Sequence, residues 1–158
     1  SSYLVPAGTG HAIGGGNMLI EIQCASDITY RIFDYNRLDD SGCKRELHID
    51  QARDALRFDV DLTDITFPPV QLTPYMKQLV ECDYFNVKRV DVDREITIDT
   101  STFDSFVSVT CISGDVSIAV DNHAPVALRC GETALIPASA DAVKLSGKGS
   151  LVSATMPH

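Results

Sequence analysis

From Leu79 onward the sequence is a succession of short apolar runs broken by turn residues, and that rhythm admits few folds. Residues 79–92 are β-branched and aromatic, and their in/out alternation slips once near Tyr84-Phe85, as a bulge causes. Further strand-like runs follow at 106–112, 116–120, 126–129, 134–136, 143–145 and 151–154. Turns are expected between them at Ser113-Gly114-Asp115, Asp121-Asn122-His123 and Ser146-Gly147-Lys148-Gly149. Short strands at such spacing close into a sandwich or barrel, of which the jelly roll is a natural form.

The first third of the chain reads differently. Two strand-like runs, 18–23 and 29–35, precede a turn at Asp39-Asp40-Ser41-Gly42. In the second run Tyr30, Ile32 and Asp34 face one way, and Arg31, Phe33 and Tyr35 the other. A helix is expected over 48–57, where Ile49, Ala52 and Leu56 recur at helical spacing. Residues 59–74 look irregular, and Pro68-Pro69 favours an extended connector. Tyr3-Leu4-Val5-Pro6 reads as the end of a strand, so the chain is expected to begin inside a domain. Two structural blocks follow from this: residues 1–65, with the helix near 48–57, and residues 66–158, nearly all β.

Composition narrows the function classes. At 158 residues and 44% hydrophobic the chain can bury a core. A net charge of −9 speaks against nucleic acid or an anionic membrane as partner. None of the five cysteines forms a CxxC pair, which fits reduced core thiols rather than a disulfide framework. With no signal-peptide pattern and no bilayer-length apolar run, a soluble cytoplasmic protein is expected.

The sharpest chemical signal is Pro6-Ala7-Gly8-Thr9-Gly10-His11, a P-x-G-x-x-H pattern. It resembles a metal-binding motif of the cupin superfamily, in which proline and glycine shape a turn and the histidine points into the barrel. A neutral imidazole on a rigid strand end suits zinc, but one histidine is not a site, because zinc takes three or four protein ligands. Gly14-Gly15-Gly16 lacks the Lys-Ser/Thr and the helix of a phosphate loop and reads as a turn.

A second stretch extends the resemblance. Glu21-Ile22-Gln23-Cys24-Ala25-Ser26-Asp27-Ile28-Thr29-Tyr30-Arg31 is followed by Phe33-Asp34-Tyr35-Asn36-Arg37, then Gly42, then Arg45-Glu46-Leu47-His48. The span from Val5 to His48 resembles the short bacterial form of the type I, zinc-dependent phosphomannose isomerases, with Cys24 where many relatives carry a second glutamine. The resemblance implies a mainly β fold of cupin-type jelly-roll barrels: the tail of a first barrel, one short helix, and a second, degenerate barrel. It implies His11 as the last zinc ligand, Arg31 as the active-site arginine and Asp27 in the same pocket. The family's other ligands, a Q-x-H pair and a glutamate, precede the histidine motif. The implied reaction interconverts mannose 6-phosphate and fructose 6-phosphate through an enediol. Zinc can polarise the carbonyl in such a reaction, and a guanidinium can hold the developing charge. With one ligand in hand, these 158 residues are expected to bind zinc poorly and to be inactive alone.

Plainer readings stand beside these. Arg31 and Asp27 could form a surface ion pair of little energetic weight. Arg31, Arg37, Lys44 and Arg45 could hold a phosphate, but Asp39, Asp40 and Glu46 lie among them, so a solvated mixed face is expected. Glu21 and Gln23 share a strand face that is expected to be exposed. His48 reads as a helix-entry residue, His123 as a turn residue and His158 as a frayed end. In the second block, residues 131–138 follow the lead-in of the same cupin motif, but Ser139-Ala140-Asp141 stands where the histidine should be. That barrel is expected to lack a metal and to serve structure. A non-catalytic sugar-binding or interaction cupin and a different cupin metalloenzyme remain alternatives.

Overall fold

A strand persists only where its backbone N–H and C=O groups find partners, and the two parts of this chain differ in whether they do. The computed structural model describes residues 1–26, 28–59 and 65–157. It forms two compact units: Ser1–Leu4 with Thr66–His158, and Val5–Ile65.

The larger unit is antiparallel β throughout. A short pair joins β1 (Ser2–Tyr3) to β2 (Thr66–Phe67). The main sheet comprises β3 (Val70–Thr73), β4 (Met76–Glu81), β5 (Asn86–Val92), β6 (Ile96–Asp99), β7 (Val107–Val120), β8 (Val126–Arg129), β9 (Thr133–Ile136) and β10 (Ala142–Thr155). Its order is β3-β4-β5-β10-β7-β8, with β6 added against β10 and β9 against β7. The two long strands change neighbours along their length. Residues 142–145 of β10 pair with β6, and residues 149–155 pair with β5. Residues 107–110 of β7 pair with β9, and residues 115–118 pair with β8. Long strands that pass from one layer into the other by a bend make the corners of a jelly roll.

Those bends correct the sequence reading. Ser113-Gly114-Asp115 and Ser146-Gly147-Lys148-Gly149 are not chain reversals; β7 and β10 run straight through them and pair with each other there. The glycines are present because the two backbones touch. A Cβ on Gly114 would collide with the Lys148 carbonyl oxygen, one on Gly149 with that of Ser113, and one on Gly147 would lie 2.6 Å from that of Asp115. Glycine within a strand pattern marks close backbone approach as readily as it marks a turn. The slip near Tyr84-Phe85 is likewise the β4–β5 turn, closed by the Cys82 N–H on the Phe85 carbonyl at 3.2 Å, and not a bulge. Strands β2 and β3 lie in the stretch read as irregular, and β6 was left unassigned.

Alternation along these strands places one residue set inside. Val90, Val92, Val109, Cys111, Val116, Leu145 and Leu151 belong to a single buried cluster. Burial raises the Cys111 thiol above its ordinary pKa. All five cysteines are free, and only Cys111 is buried; Cys24, Cys43 and Cys130 are exposed, contrary to the expectation of core thiols.

The smaller unit has little regular structure. Its helix α1 is Ile49–Ala55, shorter than expected. The expected strands at 18–23 and 29–35 do not form ladders among the described residues; the bridge between Leu38 and Lys44 is the pairing found there. Apolar side chains stay in the open, with Met18 92%, Ile28 66% and Phe58 84% exposed. Ala52 and Asp34 are its buried residues among those described. No helix of the described residues is long and apolar enough to cross a membrane.

Candidate functional site

The candidate chemistry sits in the Val5–Ile65 unit. Its turn forms as the motif dictates: the Thr9 N–H donates to the Pro6 carbonyl at 3.2 Å, and Gly8 takes φ 81° at the third position. A type II turn needs a positive φ there, which glycine supplies without strain. Gly8 also allows contact with the end of α1, since an added Cβ would meet Arg57 Cγ at 2.8 Å and the Ala55 carbonyl oxygen at 2.9 Å. The Arg57 N–H donates to the Gly8 carbonyl at 2.9 Å and ties the turn to the helix.

His11 follows the turn and is exposed. Its Nδ1 lies 3.0 Å from the Thr9 carbonyl oxygen. A carbonyl only accepts, so Nδ1 carries a proton, and Nε2 is the nitrogen by which the neutral ring could ligate a metal. The residue therefore fits one corner of a zinc site. Among the described residues no three His, Cys, Asp or Glu side chains come together.

Arg31 is held from two directions by the segment just before α1. Its N–H donates to His48 Nδ1 at 3.1 Å, and its carbonyl accepts the His48 N–H at 2.8 Å. One side-chain nitrogen, Nη1, donates to the Glu46 carbonyl at 3.0 Å. Tyr30 leans on the same histidine, with ring centroids 6.3 Å apart. No carboxylate pairs with Arg31 among the described residues. Asp27, its expected companion, lies outside the described residues.

The basic group around Arg31 is organised by an acid that the sequence reading passed over. Asp34 is 6% exposed and accepts hydrogen bonds from both Arg45 and Arg37. Arg45 Nε reaches Asp34 Oδ2 at 2.7 Å while its Nη2 bonds Oδ1, a bidentate fork; Arg37 Nη2 reaches Oδ1 at 2.6 Å. The Arg45 hydrogen bond holds the Asp34 carboxyl well below the usual carboxylate range; burial opposes this, and Arg37 adds to it. Lys44 donates to Asn36 Oδ1 at 3.0 Å. The mixed face is therefore built around a buried carboxylate, and among the described residues Arg31 pairs with no carboxylate.

His11 and Arg31 lie on neighbouring stretches. A Cβ on Gly10 would stand 3.9 Å from Ile32 Cδ1 and 3.5 Å from Leu56 Cδ2, so the residues beside each candidate pack together. Glu21 and Gln23 are both exposed, as expected, but neither lies in a strand. His48 is the residue before α1 as expected, but its ring orients Arg31 and makes no cap.

Comparison with known proteins adds to this geometry. The family model described as mannose-6-phosphate isomerase, cupin domain, matches residues 75–156. Mannose-6-phosphate isomerase of Streptococcus mutans is 32% identical over 143 residues, covering 85% of this chain and 42% of that protein. A putative mannose-6-phosphate isomerase of Bacillus subtilis is 31% identical over 153 residues, covering 95% of this chain and 47% of its own length. The crystal structure of a Bacillus subtilis mannose 6-phosphate isomerase superposes with a TM-score of 0.69 at 27% identity, over 82% of this chain and 40% of that one. The Salmonella typhimurium isomerase, solved with fructose 6-phosphate and zinc, shares the fold at TM-score 0.58 and 20% identity, over 72% of this chain and 29% of that one. The chain spans less than half the length of these relatives.

Proposed function

Because the chain belongs to the mannose-6-phosphate isomerase cupin family, we propose that it is the part of an aldose–ketose isomerase that brings Arg31 and His11 to the active site. The substrates are mannose 6-phosphate and fructose 6-phosphate. The observation that carries this reading is the fastening of Arg31 to Glu46 and His48. It holds a guanidinium beside the stretch that bears His11. In this reading residues 1–65 are the end of the catalytic domain and residues 66–158 a second barrel.

Isomerisation moves a proton from C2 of the aldose to C1 through an enediol whose oxygen gains negative charge. Zinc, when bound, supplies Lewis-acid polarisation of the carbonyl, and His11 would be one of its ligands. Arg31 stays protonated throughout and presents a planar donor fork to the enediolate oxygen. Asp27 either moves the proton or orients Arg31 or a sugar hydroxyl. The Asp34–Arg45–Arg37 cluster keeps two neighbouring cations from drifting onto the substrate and stiffens the run that carries Arg31.

The remaining zinc donors come from outside these 158 residues, and so do partners for the apolar side chains that the smaller unit leaves exposed. The isolated chain is therefore inactive. The setting is cytoplasmic, with neither nucleic acid nor membrane as partner, in keeping with a net charge of −9.

The test is conversion of mannose 6-phosphate by the product of the complete gene. Turnover is expected to stop with a zinc chelator, and Arg31→Ala is expected to lower kcat by about 10²–10³, the scale of losing one donor to a developing oxyanion. Arg31→Lys should recover part of it. Unchanged kcat in Arg31→Ala would remove the arginine from the mechanism. No turnover with zinc fully loaded would leave a non-catalytic cupin.

A further inference from the structure

Strand alternation in the larger unit puts a lysine where a core residue belongs. Along β5, residues 86, 88, 90 and 92 share one face, and Val90 and Val92 of that set are core. Asn86 and Lys88 therefore face inward. Cross-strand pairing sets Thr155 beside Asn86 and Ser153 beside Lys88, and continues the two rows with Val107 and Val109 of β7. These rows line part of a cavity of about 190 Å³ whose remaining wall is apolar apart from Thr100, and includes Ile98, Phe103 and Leu145. An apolar cavity of about 150 Å³ suffices to take up benzene.

Two polar groups at the cavity have no side-chain partner among the described residues. Asn86 Oδ1 is buried with no hydrogen bond among the described residues. Lys88 is half-buried and lines the cavity, and no described carboxylate pairs with it. An unpaired buried acceptor costs stability unless something answers it. Simple plugging of the barrel would use apolar residues at both positions.

We infer that the interior of the larger unit is a binding pocket for a small carboxylic acid with a ring-sized apolar body and a hydroxyl group. The carboxylate meets Lys88, the hydroxyl donates to Asn86 Oδ1, and the body fills the space in front of Val109 and Leu145. This inference does not depend on the isomerase reading, since none of its residues belongs to the Val5–Ile65 unit.

The experiment is a titration of the 158-residue chain with benzoate, its three hydroxy isomers and the neutral benzyl alcohol, followed by amide NMR shifts. Benzoate should move the amides of residues 86, 88, 107, 109, 153 and 155. It should bind about tenfold more tightly than benzyl alcohol, the scale of one charge-assisted hydrogen bond. Lys88→Met should erase that ratio and Lys88→Arg should keep it, with the amide spectrum of each variant showing that the fold is intact. At least one hydroxybenzoate should bind more tightly than benzoate, and Asn86→Ala should remove the gain. Absence of shifts at millimolar benzoate, or equal binding of acid and alcohol, would overturn the pocket. A hydroxyl gain that survives Asn86→Ala would overturn the assigned contact.

Discussion

The two units of this chain divide the work in opposite ways. The larger one completes its own hydrogen-bond ladder and buries a continuous core, yet it carries none of the residues expected to do chemistry. The smaller one holds His11 and Arg31 with specific hydrogen bonds, yet leaves Met18 and Phe58 almost wholly exposed and builds no ladder among its described residues. Local polar fastening and global burial are thus separate achievements. A site can be half-assembled by side-chain-to-backbone bonds in a segment that has too little apolar contact to stand alone.

The largest effect expected from breaking this contrast lies in the larger unit. Leu151 is 1% exposed at the centre of the core, and Leu151→Ala should destabilise that unit by about 2–5 kcal/mol, read as a drop in the denaturant midpoint. A smaller but clear loss, about 1–3 kcal/mol, is expected for Gly114→Ala. Its Cβ would overlap the Lys148 carbonyl oxygen, and its φ of 68° is unfavourable to alanine. A neutral result there would mean that the β7–β10 crossing is looser than described.

The smaller unit should answer to acid instead. The folded pKa of Asp34 is depressed below its ordinary 3.8, so its contribution is fully present above that value and is lost as pH falls through the acid range toward the folded value. Amide shifts of Asp34, Arg37 and Arg45 should therefore change together below about pH 4, while those of the larger unit's core stay put. Asp34→Asn should abolish that local transition. The smallest effect is expected from Met18→Ala: at 92% exposure it should alter stability by less than about 0.5 kcal/mol. A large loss would show that the side chain is covered in solution.

How much was legible in the sequence follows the same division. The β character of the second block was clear because alternation and turn residues are local signals, and strand β8 has the expected bounds. The corners were misread because glycine looks the same whether it reverses a chain or lets two backbones touch. Only the pairing of Gly114 with Gly149, thirty-odd positions away in sequence, tells the two apart. The strands expected at 18–23 and 29–35 were read from alternation alone, which reports a face but cannot supply a partner strand. His11 and Arg31 stood out through their motifs. Asp34 did not, because a buried carboxylate is recognised by the arginines that reach it, and Arg45 lies eleven residues away.

Zinc titration of the 158-residue chain by calorimetry tests the central claim most directly, namely that the unit bearing the chemistry is incomplete on its own. One histidine that belongs to no group of three donor side chains among the described residues predicts weak binding without a one-to-one step, little changed by His11→Ala. Tight stoichiometric binding that disappears in His11→Ala would show that the chain assembles a full donor set by itself, and would contradict the account.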